Sequence, residues 1–166
     1  AITGGATFTV ANGRSITLDQ SSTFSSTVTF VASAGTIAAV TINDSNAFDI
    51  KALTTTGNLT VTAGGAVTDS GTLVIPGTAT ISASGQAVTL DESSNNFGTL
   101  AITGANVAVT DTNAIILGAS TISGTYTLTA GGAVTDTGAL AITGVTTLAA
   151  GSGNNITLDH TSNNFQ

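Results

Sequence analysis

Seven aspartates, Asp19, Asp44, Asp69, Asp91, Asp111, Asp136 and Asp159, are the side chains of this sequence best suited to chemistry, because they recur at the nearly even gaps 25, 25, 22, 20, 25 and 23. Carboxylates stacked along one edge would offer the oxygen ligands that a hard cation such as calcium prefers. The surrounding motif argues for another job. Calcium-binding solenoid repeats read Gly-Gly-x-Gly-x-Asp, whereas Gly64-Gly65-Ala66-Val67-Thr68-Asp69 carries Val where the third glycine belongs. Aspartate side chains also accept hydrogen bonds from nearby backbone in turns, so the expectation is a structural turn ladder with no metal and no cofactor. Asp19, Asp91 and Asp159 follow a Leu, and alternation points them outward; Asp44, Asp69, Asp111 and Asp136 follow Thr or Asn and are expected in turns.

Catalysis is poorly provided for. Glycoside hydrolysis needs two facing carboxylates, and a lyase needs a basic partner as well. Asp91 with Glu92, Asp44 with Asp49, and the isolated Arg14, Lys51 and His160 are what the chain has. No catalytic residue is expected, and the polysaccharide-active enzyme that a solenoid face can carry is the weakest of the alternatives.

The elements that position these residues are strands. Each aspartate closes a short β-branched run, as in Val88 to Asp91 and Ile156 to Asp159. Such runs, punctuated by Gly, Ser and Asn, read as strands, and no stretch has the spacing of an amphipathic helix. A longer period overlies the short one: LTVTAGGAVTDSG from Leu59 returns as YTLTAGGAVTDTG from Tyr126, an offset of 67. LDESSNNF from Leu90 returns as LDHTSNNF from Leu158, with LDQSSTF from Leu18 as a looser copy. Periods of this size mark stacked architectures. Nine strand-like pieces and three aspartates per long period predict an all-β, three-sided parallel β-helix, or β-solenoid. It has about 22 residues per three-strand turn, about seven turns and no capping helix. Val88, Leu90, Leu100 and Ile102 face inward by alternation, and Phe24, Phe97 and Phe165 form one core stack. Residues 1–166 form a single solenoid segment, and the absence of methionine and the start at Ala1 suggest an interior piece of a longer repeat protein or filament.

Composition narrows the partners. Only two cations against nine acids give a net charge of −7, which disfavours nucleic acid and anionic membrane surfaces. No apolar run is long enough to insert in a membrane. With no cysteine, disulfides and thiolate sites are excluded, so stability rests on stacking. The end at Asn163-Asn164-Phe165-Gln166 and the start at Ala1-Ile2-Thr3-Gly4 echo Asn95-Asn96-Phe97-Gly98 and Ala101-Ile102-Thr103-Gly104. Partners are therefore expected to be copies of the chain or adjacent repeats, head to tail. Thr-x-Thr pairs at 7, 27, 60, 78 and 125 raise ice binding, but their starts do not fall once per turn.

The Gly-Gly-Ala-Val-Thr-Asp motifs at 64–69 and 131–136 and the Leu-Ala-Ile-Thr-Gly units at 100–104 and 140–144 resemble the repeats of filamentous-haemagglutinin-like proteins, as does Ser-Gly-Asn-Asn-Ile-Thr-Leu-Asp at 152–159. The resemblance to these giant bacterial adhesins, often exported by two-partner secretion and built as right-handed parallel β-helices, implies a right-handed parallel β-helix and an extracellular or cell-surface, elongated, non-enzymatic role. Surface glycans or a receptor on a host or neighbouring cell are the partners it implies.

Overall fold

The computed structural model describes residues 1–166, and all its regular elements are strands. The first eight are β1 (Ala6–Val10), β2 (Ile16–Ser22), β3 (Val28–Ala32), β4 (Val40–Asp44), β5 (Phe48–Ile50), β6 (Leu53–Thr54), β7 (Leu59–Ala63) and β8 (Val67–Asp69). Next come β9 (Leu73–Ser82), β10 (Val88–Leu90), β11 (Asn96–Gly104), β12 (Val107–Asp111), β13 (Ile115–Leu117) and β14 (Ser120–Ile122). The last are β15 (Tyr126–Ala130), β16 (Val134–Asp136), β17 (Leu140–Ile142), β18 (Thr146–Ala149), β19 (Ile156–Thr157) and β20 (Asn164–Phe165).

All pairings are parallel, and the chain coils as a three-sided β-solenoid. Side one carries β2, β4, β7, the second halves of β9 and β11, and then β14, β17 and β20. Side two carries β1, β3, β5, β8, β10, β12, β15 and β18. Side three carries β6, the first halves of β9 and β11, and then β13, β16 and β19. Side-two strands begin at Ala6, Val28, Phe48, Val67, Val88, Val107, Tyr126 and Thr146, which makes eight turns. The steps between these starts average 20, close to the expected about seven turns of about 22 residues.

The one-turn difference has one cause. Between Leu59 and Tyr126 the chain makes ten sides, not nine, because Asn96-Phe97 pairs with Val74-Ile75 as strand. Its polar Ser-Asn-Asn setting disguises it. Ten sides are three and one third turns, so the long-period copy does not stack on itself but is rotated by one side. β7 lies on side one and its copy β15 on side two; β8 lies on side two and its copy β16 on side three.

Inside, like lies over like. On side one Ile16, Val40, Leu59, Ala79 and Leu100 are in register, as are Leu18, Ile42, Val61, Ile81 and Ile102. On side two Phe48, Val67, Val88, Val107 and Tyr126 form a column. Val88, Leu90, Leu100 and Ile102 are buried, as alternation requires. Each such side chain contributes roughly 1.5–3 kcal/mol by leaving water.

Corners impose a second rule. A Cβ on Gly64 would overlap the Ser45 carbonyl of the turn beneath, and one on Gly131 would overlap that of Thr112. These glycines are required by close backbone approach, since neither has positive φ. Gly64→Ala should therefore cost about 1–3 kcal/mol, read as a lowered melting temperature, while Gly4→Ala, with nothing within 4 Å, should change nothing measurable.

Candidate functional site

The repeated polar residues form clamps between layers. Asp69 ends β8, where the in-out-in order of Val67, Thr68 and Asp69 turns its carboxylate inward. Its Oδ1 accepts the Asp91 N–H at 3.1 Å and its Oδ2 accepts Asn95 Nδ2 at 2.6 Å. Asn95, fully buried, in turn accepts the Leu73 N–H at 2.8 Å. Asp136 repeats this with the Asp159 N–H at 3.1 Å and Asn163 Nδ2 at 2.6 Å, and Asn163 accepts the Leu140 N–H at 2.9 Å. A second clamp reaches the same loop from the layer above. Asp111 Oδ1 accepts the Phe97 N–H at 3.0 Å, and Asp44 Oδ1 accepts that of Phe24 at 3.2 Å. The loop from Asp91 to Phe97 is thus held from both neighbouring turns.

This placement divides the seven aspartates. Asp19, Asp91 and Asp159 are exposed, as alternation implies. Asp44, Asp69, Asp111 and Asp136 are inward, buried last residues of strands and do not themselves lie in turns, but Asp44 Oδ1 and Asp111 Oδ2 accept the N–H of Asn46 and Asn113 two residues on, the turn-capping bond expected of them. Nor do the seven share one edge. Asp44 ends a side-one strand, Asp69 and Asp111 end side-two strands, and Asp136 ends a side-three strand. Their mean spacing exceeds one turn of the coil, so successive aspartates drift around it. The three phenylalanines part for the same reason. Phe24 is buried against Phe8, Phe97 is buried over Ile75, and Phe165, paired with Ile142, is 44% exposed. Asn95 and Asn163 are functional partners that sequence reasoning misses, legible only as a repeated Ser-Asn-Asn.

Burial pushes the Asp69 carboxyl above the ordinary 3.8, against the hydrogen bonds from Asn95 and Asp91. Burial raises Asp111 likewise, against those from Phe97 and Asn113. Asp49 moves the other way: burial raises it, but hydrogen bonds from Lys51 and Ser70 and the Lys51 charge outweigh this. The stability linked to Asp69 and Asp111 is therefore complete below 3.8 and lost as pH rises through their folded values, whereas that of Asp49 is lost below 3.8. Thermal melts should accordingly show the midpoint rising from about pH 7 to about pH 4, with Asp111→Asn flattening the rise.

Outward rows also have an order that sequence spacing concealed. Thr17, Thr41, Thr60 and Thr80 are in register on side one, flanked by the row Asn43, Thr62, Ser82 and Thr103. No group of three or more His, Cys, Asp or Glu is arranged to hold a metal ion. No helix is long and apolar enough to cross a membrane.

No curated protein and no solved structure matches the chain. The family described as repeats of unknown function, DUF5649, matches residues 37–103 and 104–166. The first match spans one long period, the interval over which the clamps recur. With both units tiling most of its length, the chain belongs to the DUF5649 repeat family.

Proposed function

We propose that this chain is a load-bearing segment of an extracellular fibre or adhesin stalk, non-catalytic, in which length is gained by adding turns. The observation that carries this reading is the clamp set: the buried carboxylates of Asp44, Asp69, Asp111 and Asp136 each hold the backbone of a neighbouring layer. At about 4.8 Å per layer, eight turns make a rod roughly 38 Å long. The partners that fit are further repeats of the same chain or other copies, head to tail, and at the surface a glycan or cell receptor. The resemblance of Gly-Gly-Ala-Val-Thr-Asp and Leu-Ala-Ile-Thr-Gly to filamentous-haemagglutinin-like repeats supports the location and the elongated role.

Electron microscopy of the purified chain, with the length of its natural reading frame, tests this. Rods or filaments and many further turns support it, whereas isolated compact particles from a short frame carrying a charged groove would count against it. The side-one threonine rows favour one second reading, ordered-water or ice binding, which an ice-recrystallisation assay checks: growth unaffected at micromolar protein would dismiss it.

A further inference from the structure

Pairing between layers is thinnest among the first three turns: the first and second share the ladder of β1 with β3 and one isolated bridge, Ile2 with Phe24, and the second and third share the ladder of β2 with β4 and one isolated bridge of their own. On side two, β3 and β5 occupy neighbouring layers yet belong to separate sheets, whereas β1 with β3 and every pair from β5 to β18 are hydrogen-bonded. On side three the same layers share one isolated bridge, Ile37 with Thr55. On side one the ladder of β2 with β4 slips register between Leu18 and Ser22. Both cavities of the molecule open at this level. One, of about 240 Å³, lies between the Phe24–Thr27 and Asn46–Lys51 segments; the other, of about 410 Å³, lies between β3 and β6. Two of the three buried side-chain atoms without a hydrogen-bond partner, Asp44 Oδ2 and Asn46 Oδ1, are here as well, and the other polar atoms of the same two side chains, Asp44 Oδ1 and Asn46 Nδ2, hold the Phe24 backbone at the side-one end of the boundary. The matched repeats begin at residue 37, at the same boundary.

We propose that this boundary is a joint, at which residues 1–36 open from residues 37–166 as one cooperative unit, parting on sides two and three and pivoting on side one. Three physical features lead to it. Adjacent solenoid layers are held by their ladders and by the apolar column between them, and here the ladder is missing on one side and reduced to a bridge on another. A cleft between layers forfeits the dispersion contacts of its lining, so layer-to-layer packing is also reduced at this level. An unpartnered buried carboxylate oxygen costs free energy that opening to water recovers. In the 166-residue chain studied by itself, the two released turns are too few to bury their own apolar faces, so opening there leads to loss of the β1–β3 pairing. In a rod under tension this level yields first, leaving the repeat body intact.

Hydrogen exchange on the full chain in native buffer decides the matter. The amides of β1 and β3 should exchange together, about tenfold or more faster than those of β8 and β10, with a step in protection between Ala32 and Phe48. A broad-specificity protease used briefly should then release a first stable fragment starting within residues 33–37. Protection that climbs smoothly layer by layer from β1 to β10, as an end frays, would overturn the joint. So would equal protection on both sides of residue 37.

Discussion

Phe97→Ala should lower stability by about 3–5 kcal/mol, while Phe165→Ala should change it by less than about 0.5 kcal/mol. The two residues close nearly identical Asn-Asn-Phe motifs, so sequence alone would assign them equal weight. Phe97 is fully buried over Ile75 with its N–H held by Asp111, whereas Phe165 is 44% exposed. Removing the buried ring leaves a cavity between layers whose backbones, fixed by ladders on three sides, cannot collapse to fill it. For a chain of 166 residues, each kcal/mol moves the melting midpoint by roughly 2–4 °C, so the Phe97 variant should melt about 6–20 °C lower. Equal effects at the two positions would mean that Phe165, in the last turn of this chain, is as enclosed as Phe97.

Exchanging the partners of one clamp should show strong coupling. In Asp69→Asn the new side-chain amide faces Asn95 Nδ2, two donors with no acceptor between them, and a buried donor left unmet costs about 1–3 kcal/mol. In Asn95→Asp a second buried carboxylate confronts Asp69 where the heavy atoms are now 2.6 Å apart, and the expected loss is about 3–5 kcal/mol. The double variant restores the pairing with its polarity reversed. The amide then at position 69 donates to the carboxylate at position 95, whose second oxygen still accepts the Leu73 N–H. Denaturant titrations of the four proteins should give a coupling energy of at least about 2 kcal/mol. Additive losses would show that the two side chains do not act as one clamp.

Strand content and stacking were legible because both are local. Val-Thr-Leu and Leu-Ala-Ile alternate at the period of a pleated strand, and a long-range copy of this kind has no use in a sandwich or a barrel. The exposure of Asp19, Asp91 and Asp159 followed from the same alternation. Applied without interruption, that alternation would also have turned Asp69 and Asp136 inward; the ordinary preference of aspartate for turns argued against it, and only the buried Asn95 and the half-buried Asn163 of the next layer make the inward position tolerable. The threonine rows were hidden by turn lengths that vary between layers, so residues that align in space are unevenly spaced in the chain.

What the sequence by itself determined is the building unit: short apolar strands, glycine corners and a recurring set of Asp and Asn. What only the tertiary structure decided is which side each unit occupies. That depends on the total number of sides in one long period, and one further strand, the polar Asn96-Phe97 whose pairing partner Val74-Ile75 lies in the preceding turn, changes the count from nine to ten. A local pattern can mark strands, but the angle at which one copy follows another is the accumulated sum of every corner between them, so a single disguised strand turns all that follows by a third of a revolution.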